Sequence, residues 1–62
     1  MSLSIDSNER LYDALAAAID HVGPEHESLF LVKLVLLLAN QLGDEPGVEA
    51  AMEAAQQELR PR

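Results

Sequence analysis

The chain has 62 residues, no cysteine, and a formal charge of -7 from 11 acidic residues against four lysines and arginines. This length allows one domain with a marginal core, and the lack of cysteine excludes disulfides, thiolate zinc sites and iron–sulfur clusters. The acidic balance argues against nucleic acid and anionic membranes as partners, because binding to phosphates needs clustered basic groups.

The first residues of the chain lack the marks of a secretory signal. No basic residue precedes Arg10, and no long apolar core is present there. The most apolar run, residues 29–39, contains Lys33 and is much shorter than a membrane-spanning helix. We therefore expect a cytoplasmic protein.

The first predicted helix covers residues 6–22, after a frayed arm over residues 1–5 that has no apolar period. Asp6 with Glu9 three positions later resembles a capping box and predicts the helix start. One apolar stripe at helical spacing makes the helix amphipathic. The stripe consists of Leu11, Leu15, Ala18, Ile19 and Val22.

The second predicted helix covers residues 24–42, opened by the Gly23-Pro24 pair and stopped by Gly43. From residue 29 to residue 42, 11 of 14 residues are apolar. A helical wheel divides them into three stripes, while a narrow polar line runs through His26, Lys33 and Asn40. A helix that is apolar nearly all round is expected to be buried nearly all round. The stripes are Leu31, Val35, Leu38 and Leu42; Leu29, Val32, Leu36 and Ala39; and Phe30, Leu34 and Leu37.

The third predicted helix covers residues 45–60. Asp44 is a suitable N-cap, Pro46 fits the first turn, and Pro61 ends the helix. Its apolar stripe consists of Val48, Ala51, Met52, Ala55 and Leu59.

The helix pattern predicts an assembly as well as a fold. Two amphipathic helices joined to the second by tight turns are expected to lie antiparallel to it, each covering one stripe. The third stripe would stay in water at about 1.5 to 3 kcal/mol per large side chain, a cost that rivals the stability of so small a domain. We therefore predict an all-α, single-domain, three-helix subunit with a central apolar helix 2, assembled as a two-fold homodimeric helical bundle. The alternative is that a different protein covers the third stripe.

The candidate dimer interface combines the third stripe with two polar residues. On an otherwise apolar helix, a polar side chain can mark the solvent line or fix the register of a dimer by pairing across the seam. The candidate interface residues are Phe30, Leu34, Leu37, Lys33 and Asn40.

The sequence does not favour a catalytic or metal site. The metal-compatible residues around the first turn lack the spacing of known sites, and a solvated acidic corner is the favoured interpretation. No nucleophile–base pair or glycine-rich phosphate loop is evident, so we predict no enzyme activity and no cofactor. The metal-compatible residues are Asp20, His21, Glu25, His26 and Glu27.

Residues 36–44, Leu-Leu-Leu-Ala-Asn-Gln-Leu-Gly-Asp, resemble the L-L-L-A-N-x-x-G-D signature of a small family of uncharacterised bacterial helical proteins. Residues 24–28, Pro-Glu-His-Glu-Ser, resemble the acidic helix start of that family, and the similarity covers residues 9–59. The family has no established activity to transfer. The resemblance implies genes close to those of flavin-dependent oxidoreductases of aromatic catabolism, and therefore at most an accessory role.

Two functions are compatible with these features. The leading hypothesis is a non-enzymatic interaction or accessory protein, a helical homodimer whose acidic exterior meets an unidentified partner protein. The alternative is a small-molecule- or metal-binding helical protein that uses the cavity or corner between helices 1 and 2.

Overall fold

The computed structural model describes residues 3–59, and this part of the chain is helical and contains no strand. The prediction of an all-α chain with three helices is therefore confirmed. The helices are α1 at Ile5–Val22, α2 at Glu27–Leu42 and α3 at Glu45–Glu58, with a single 3-10 turn at Pro24–His26 between the first two.

The start of α1 differs from the prediction in its cap. Ser4 has an extended backbone, with φ -67° and ψ 164°, and its side chain accepts a hydrogen bond from the amide of Ser7 over 3.1 Å. Asp6 is therefore not the cap but lies in the first turn, where its charge still suits the helix dipole. The predicted frayed arm does not extend to Ser4 and Ile5, and its first two residues lie outside the described range.

Glycines end the first two helices as predicted. The amide of Gly23 donates to the Ile19 carbonyl over 3.1 Å, and the amide of Gly43 donates to the Ala39 carbonyl over 2.9 Å. Both glycines have positive φ, 89° and 67°, a region that side chains disfavour. After Gly23 the chain makes the 3-10 turn before regular α-helix begins at Glu27, three residues later than predicted.

Asp44 caps α3 as predicted. Its Oδ1 accepts a hydrogen bond from the amide of Gly47 over 3.1 Å. A Cβ at Gly47 would collide with the same carboxylate, which explains why a residue that weakens helices stands in this turn. The helix ends at Glu58, and the predicted stop at Pro61 lies outside the described residues.

We expect Asp44→Ala to lower the free energy of unfolding by about 1 kcal/mol, because the amide of Gly47 loses its side-chain acceptor. Asp44→Asn is the matched control, since asparagine caps a helix about as well as aspartate. Urea unfolding monitored by circular dichroism measures both changes. Equal destabilisation by the two variants would show that charge, and not the capping hydrogen bond, is what Asp44 contributes.

The described residues fall into two compact units, one extending up to Val32 and the other starting at Lys33. Within each unit, no two described residues that are 12 or more apart in sequence have Cα atoms within 8 Å. Within the first unit, α1 therefore does not pack along residues 27–32 of α2 as predicted. Within the second unit, α3 does not pack along residues 33–42 of α2. The prediction that α2 is buried nearly all round included a second copy as the cover of the third stripe, and for that assembled form it stays a prediction.

The exposure of the side chains within each unit agrees with this lack of contact between helices. None of the described residues is buried, so the described part of each unit has no closed hydrophobic core. Four members of the predicted stripe of α1 are half-buried, namely Leu15, Ala18, Ile19 and Val22. The amphipathic pattern of α1 thus directs its apolar side chains to one face without enclosing them.

Candidate interaction surface

A shallow depression lies on the part of α2 that belongs to the second unit. Its volume is about 270 Å³, and its lining residues are spaced i, i+3, i+4 and i+7, which places them on one face of the helix. The two leucines form an apolar centre, while the lysine and the asparagine stand at the two ends. We call these residues the α2 diamond, and they are Lys33, Leu36, Leu37 and Asn40.

The Asn40 side chain has a defined orientation. Its Nδ2 donates a hydrogen bond to the Leu36 carbonyl of the same helix over 2.8 Å. Only the amide nitrogen can donate to a carbonyl, so the Nδ2 end is held by the helix and Oδ1 is the end that an outside donor can reach. Asn40 is therefore an oriented acceptor at one end of the α2 diamond.

The leucines of the α2 diamond are open to solvent. Leu36 is 57% exposed and Leu37 is 63% exposed. Large apolar side chains are common on protein surfaces singly, but a contiguous apolar patch with polar residues at its edge is typical of interaction sites. The α2 diamond has this composition.

The structure brings together three of the five candidate interface residues. Lys33, Leu37 and Asn40 line the same depression, whereas Leu34 is half-buried and does not line it. Phe30 is half-buried and belongs to the first unit. The interface role of all five residues stays a prediction.

Leu36 is the residue that the sequence prediction missed, because the helical wheel assigned it to a different stripe from Leu37. A search centred on the polar pair would have found it, since Leu36 and Leu37 are the two positions between Lys33 and Asn40 that share their face.

Apolar exposure on α2 is wider than the one stripe that the sequence analysis left uncovered. Residues from all three predicted stripes are exposed, so the open surface runs around the helix. The exposed members are Leu29, Val32, Val35, Leu36, Leu37, Leu38 and Leu42.

The acidic corner around the first turn offers no grouped ligands. Within residues 3–59, no set of three or more His, Cys, Asp and Glu side chains is placed so that it could hold a metal ion. In this corner, Nδ1 of His26 in the 3-10 turn lies 3.2 Å from the carbonyl of Val22, the last residue of α1, which is within hydrogen-bond distance. The alternative of a metal- or ligand-binding protein stays a prediction.

None of the helices between residues 3 and 59 has both the length and the apolar character needed to cross a membrane. The cytoplasmic location stays a prediction.

These features define a small all-helical protein whose second helix presents an open apolar face. The chain belongs to the family described as Protein of unknown function (DUF2783), whose model matches residues 1–57. This confirms the expectation of a small uncharacterised family. Comparisons with curated proteins and with solved structures gave no match.

Proposed function

We propose that this protein is a non-enzymatic interaction or accessory protein that acts as a helical homodimer built on α2. The observation that carries the proposal is the open apolar face of α2 in the second unit. Leu36, Leu37 and Leu38 are 57%, 63% and 48% exposed there. Leaving large apolar side chains in water costs about 1.5 to 3 kcal/mol each, so a surface that covers them would stabilise the fold.

A second copy is a suitable cover for this face. The same apolar face on two chains can meet across a two-fold axis, which is the commonest symmetry of soluble homo-oligomers. The lack of any buried residue among those described also fits a chain whose core forms only on association.

The oligomeric state tests this proposal directly. Multi-angle light scattering on the full chain at micromolar concentration should give a mass of about 14 kDa, that of two chains of 6.8 kDa each. A stable monomer at that concentration would rule out the homodimer. A larger homo-oligomer would rule out the two-fold assembly.

The accessory role requires a partner protein on the acidic exterior. Glu49 and Glu53 lie one turn apart and exposed on α3, so reversing both charges changes the exterior without touching α2. Affinity capture from the native host, followed by mass spectrometry, should recover one partner with the native chain. The Glu49→Lys, Glu53→Lys variant should remain a dimer and recover less of that partner, because electrostatic complementarity governs such encounters.

A further inference from the structure

The polar ends of the α2 diamond are symmetric about its centre. Lys33 and Asn40 lie 3.5 residues before and after the midpoint between Leu36 and Leu37. A two-fold axis through that midpoint, relating antiparallel copies of α2, would place Lys33 opposite the partner's Asn40. Each central leucine would then pack beside its own counterpart. The i, i+3, i+4, i+7 spacing is also that of the four-residue hole that receives a side chain from a facing helix.

The charge of Lys33 discriminates between the two orientations of a symmetric pair. In a parallel dimer in register, Lys33 would meet the partner's Lys33, and like charges placed opposite each other are destabilising. In the antiparallel pair, the same ammonium group meets an amide. The helix macrodipoles also oppose each other favourably when neighbouring helices run antiparallel.

The orientation of Asn40 supplies the complementary group. A lysine ammonium has three donors and no acceptor, so it needs an oxygen across the interface. Because Nδ2 of Asn40 is bonded to the Leu36 carbonyl, its Oδ1 is the end available to that donor. The hydrogen bond within one chain therefore prepares the acceptor for the other.

The distribution of acidic residues permits contact between two copies of α2. Residues 28–43 contain no aspartate or glutamate, although the whole chain has 11. Two chains of charge -7 can therefore meet along this stretch without burying carboxylates against each other.

We infer that two copies of this chain pair α2 against α2 in antiparallel orientation, with Nζ of Lys33 donating to Oδ1 of the partner's Asn40 at both ends of the α2 diamond. This inference rests on the homodimer proposed above and adds its orientation and register.

Cysteine cross-linking tests the orientation, because the chain has no native cysteine. Tagged Lys33→Cys protein and untagged Asn40→Cys protein are unfolded, mixed, refolded together and oxidised. The heterodimer keeps one native Lys33–Asn40 pair at the other end of the diamond. We expect roughly tenfold more heterodisulfide than either homodisulfide, because a homodisulfide would have to join positions about 10 Å apart along the helix axis. Homodisulfides equal to or exceeding the heterodisulfide would overturn the inference.

The register has its own control. Gln41 is the neighbouring polar residue of α2, and a half-residue shift of the two-fold axis would place it opposite Lys33. A mixture of Lys33→Cys and Gln41→Cys should form less heterodisulfide than the mixture with Asn40→Cys. The reverse order would refute the proposed register.

Asn40→Glu tests the orientation with Lys33 retained. In the antiparallel dimer, each introduced carboxylate faces the partner's Lys33, so the dissociation constant should stay the same or fall. In a parallel dimer, the two introduced carboxylates face each other, and roughly tenfold weaker association is expected from a like-charge pair. Weakening of that size would contradict the inference.

Light scattering on every sample separates the two possible failures. A monomeric native chain would refute the homodimer itself. A dimeric native chain with the wrong cross-linking order would refute only the antiparallel pairing and leave the homodimer standing.

Discussion

Leu37→Asp should convert the protein into a monomer that is largely unfolded at micromolar concentration. Leu37 is 63% exposed in the single chain, so the substitution removes little from the packing of one subunit. In the proposed dimer, each copy loses a buried leucine worth about 1.5 to 3 kcal/mol, which amounts to about 3 to 6 kcal/mol per dimer. The dissociation constant should therefore rise by about two to four orders of magnitude, before the cost of desolvating the carboxylates is added.

Two controls accompany this variant. Gln56→Asp introduces the same side chain at an exposed position of α3 and should leave both mass and helicity unchanged. Leu37→Met conserves volume and should cost less than about 1.5 kcal/mol. Light scattering and circular dichroism measure association and helicity on the same samples. A Leu37→Asp protein that remained a dimer with native helicity would remove Leu37 from the interface.

The thermal midpoint of the native chain should rise with protein concentration. If the core forms only when two chains meet, folding and association are one equilibrium, and mass action stabilises the folded dimer. The unfolding entropy of two chains of 62 residues corresponds to a shift of about 5 °C for each tenfold increase in concentration.

Circular dichroism melts across a hundredfold concentration range check this expectation, with a total shift of about 10 °C. The Asp44→Ala variant is a useful comparison, because it weakens a local cap and leaves α2 unchanged. Its midpoint should lie lower at each concentration but shift by a similar amount. A native midpoint independent of concentration would show that the chain folds without a second copy.

Helix ends were predictable where a single local signal decided them. The Asp44 cap and the stops at Gly23 and Gly43 depend on residues within one turn, and the structure confirms all three. At the start of α1 two eligible caps compete within three residues. The extended backbone at Ser4 and its bond to the amide of Ser7 decide between them, and a residue pattern does not contain that information.

The candidate surface was predictable in part. The polar residues Lys33 and Asn40 stand out in the sequence because the two residues between them on that face, Leu36 and Leu37, are apolar. The shared depression, and the part of Leu36 in it, depend on how side chains of one helix are placed in space. The direction of the Asn40 amide is likewise a matter of geometry, because the sequence permits either end to face outward.

The sequence by itself determined that residues 29–42 form one helix, in which 11 of 14 residues are apolar. Helix formation, caps and apolar period are local properties, and they follow from residue type and spacing. Only the tertiary structure decided that no described residue is buried, because burial depends on which elements meet in space. For the same reason it was the structure that placed Lys33, Leu36, Leu37 and Asn40 around one open depression.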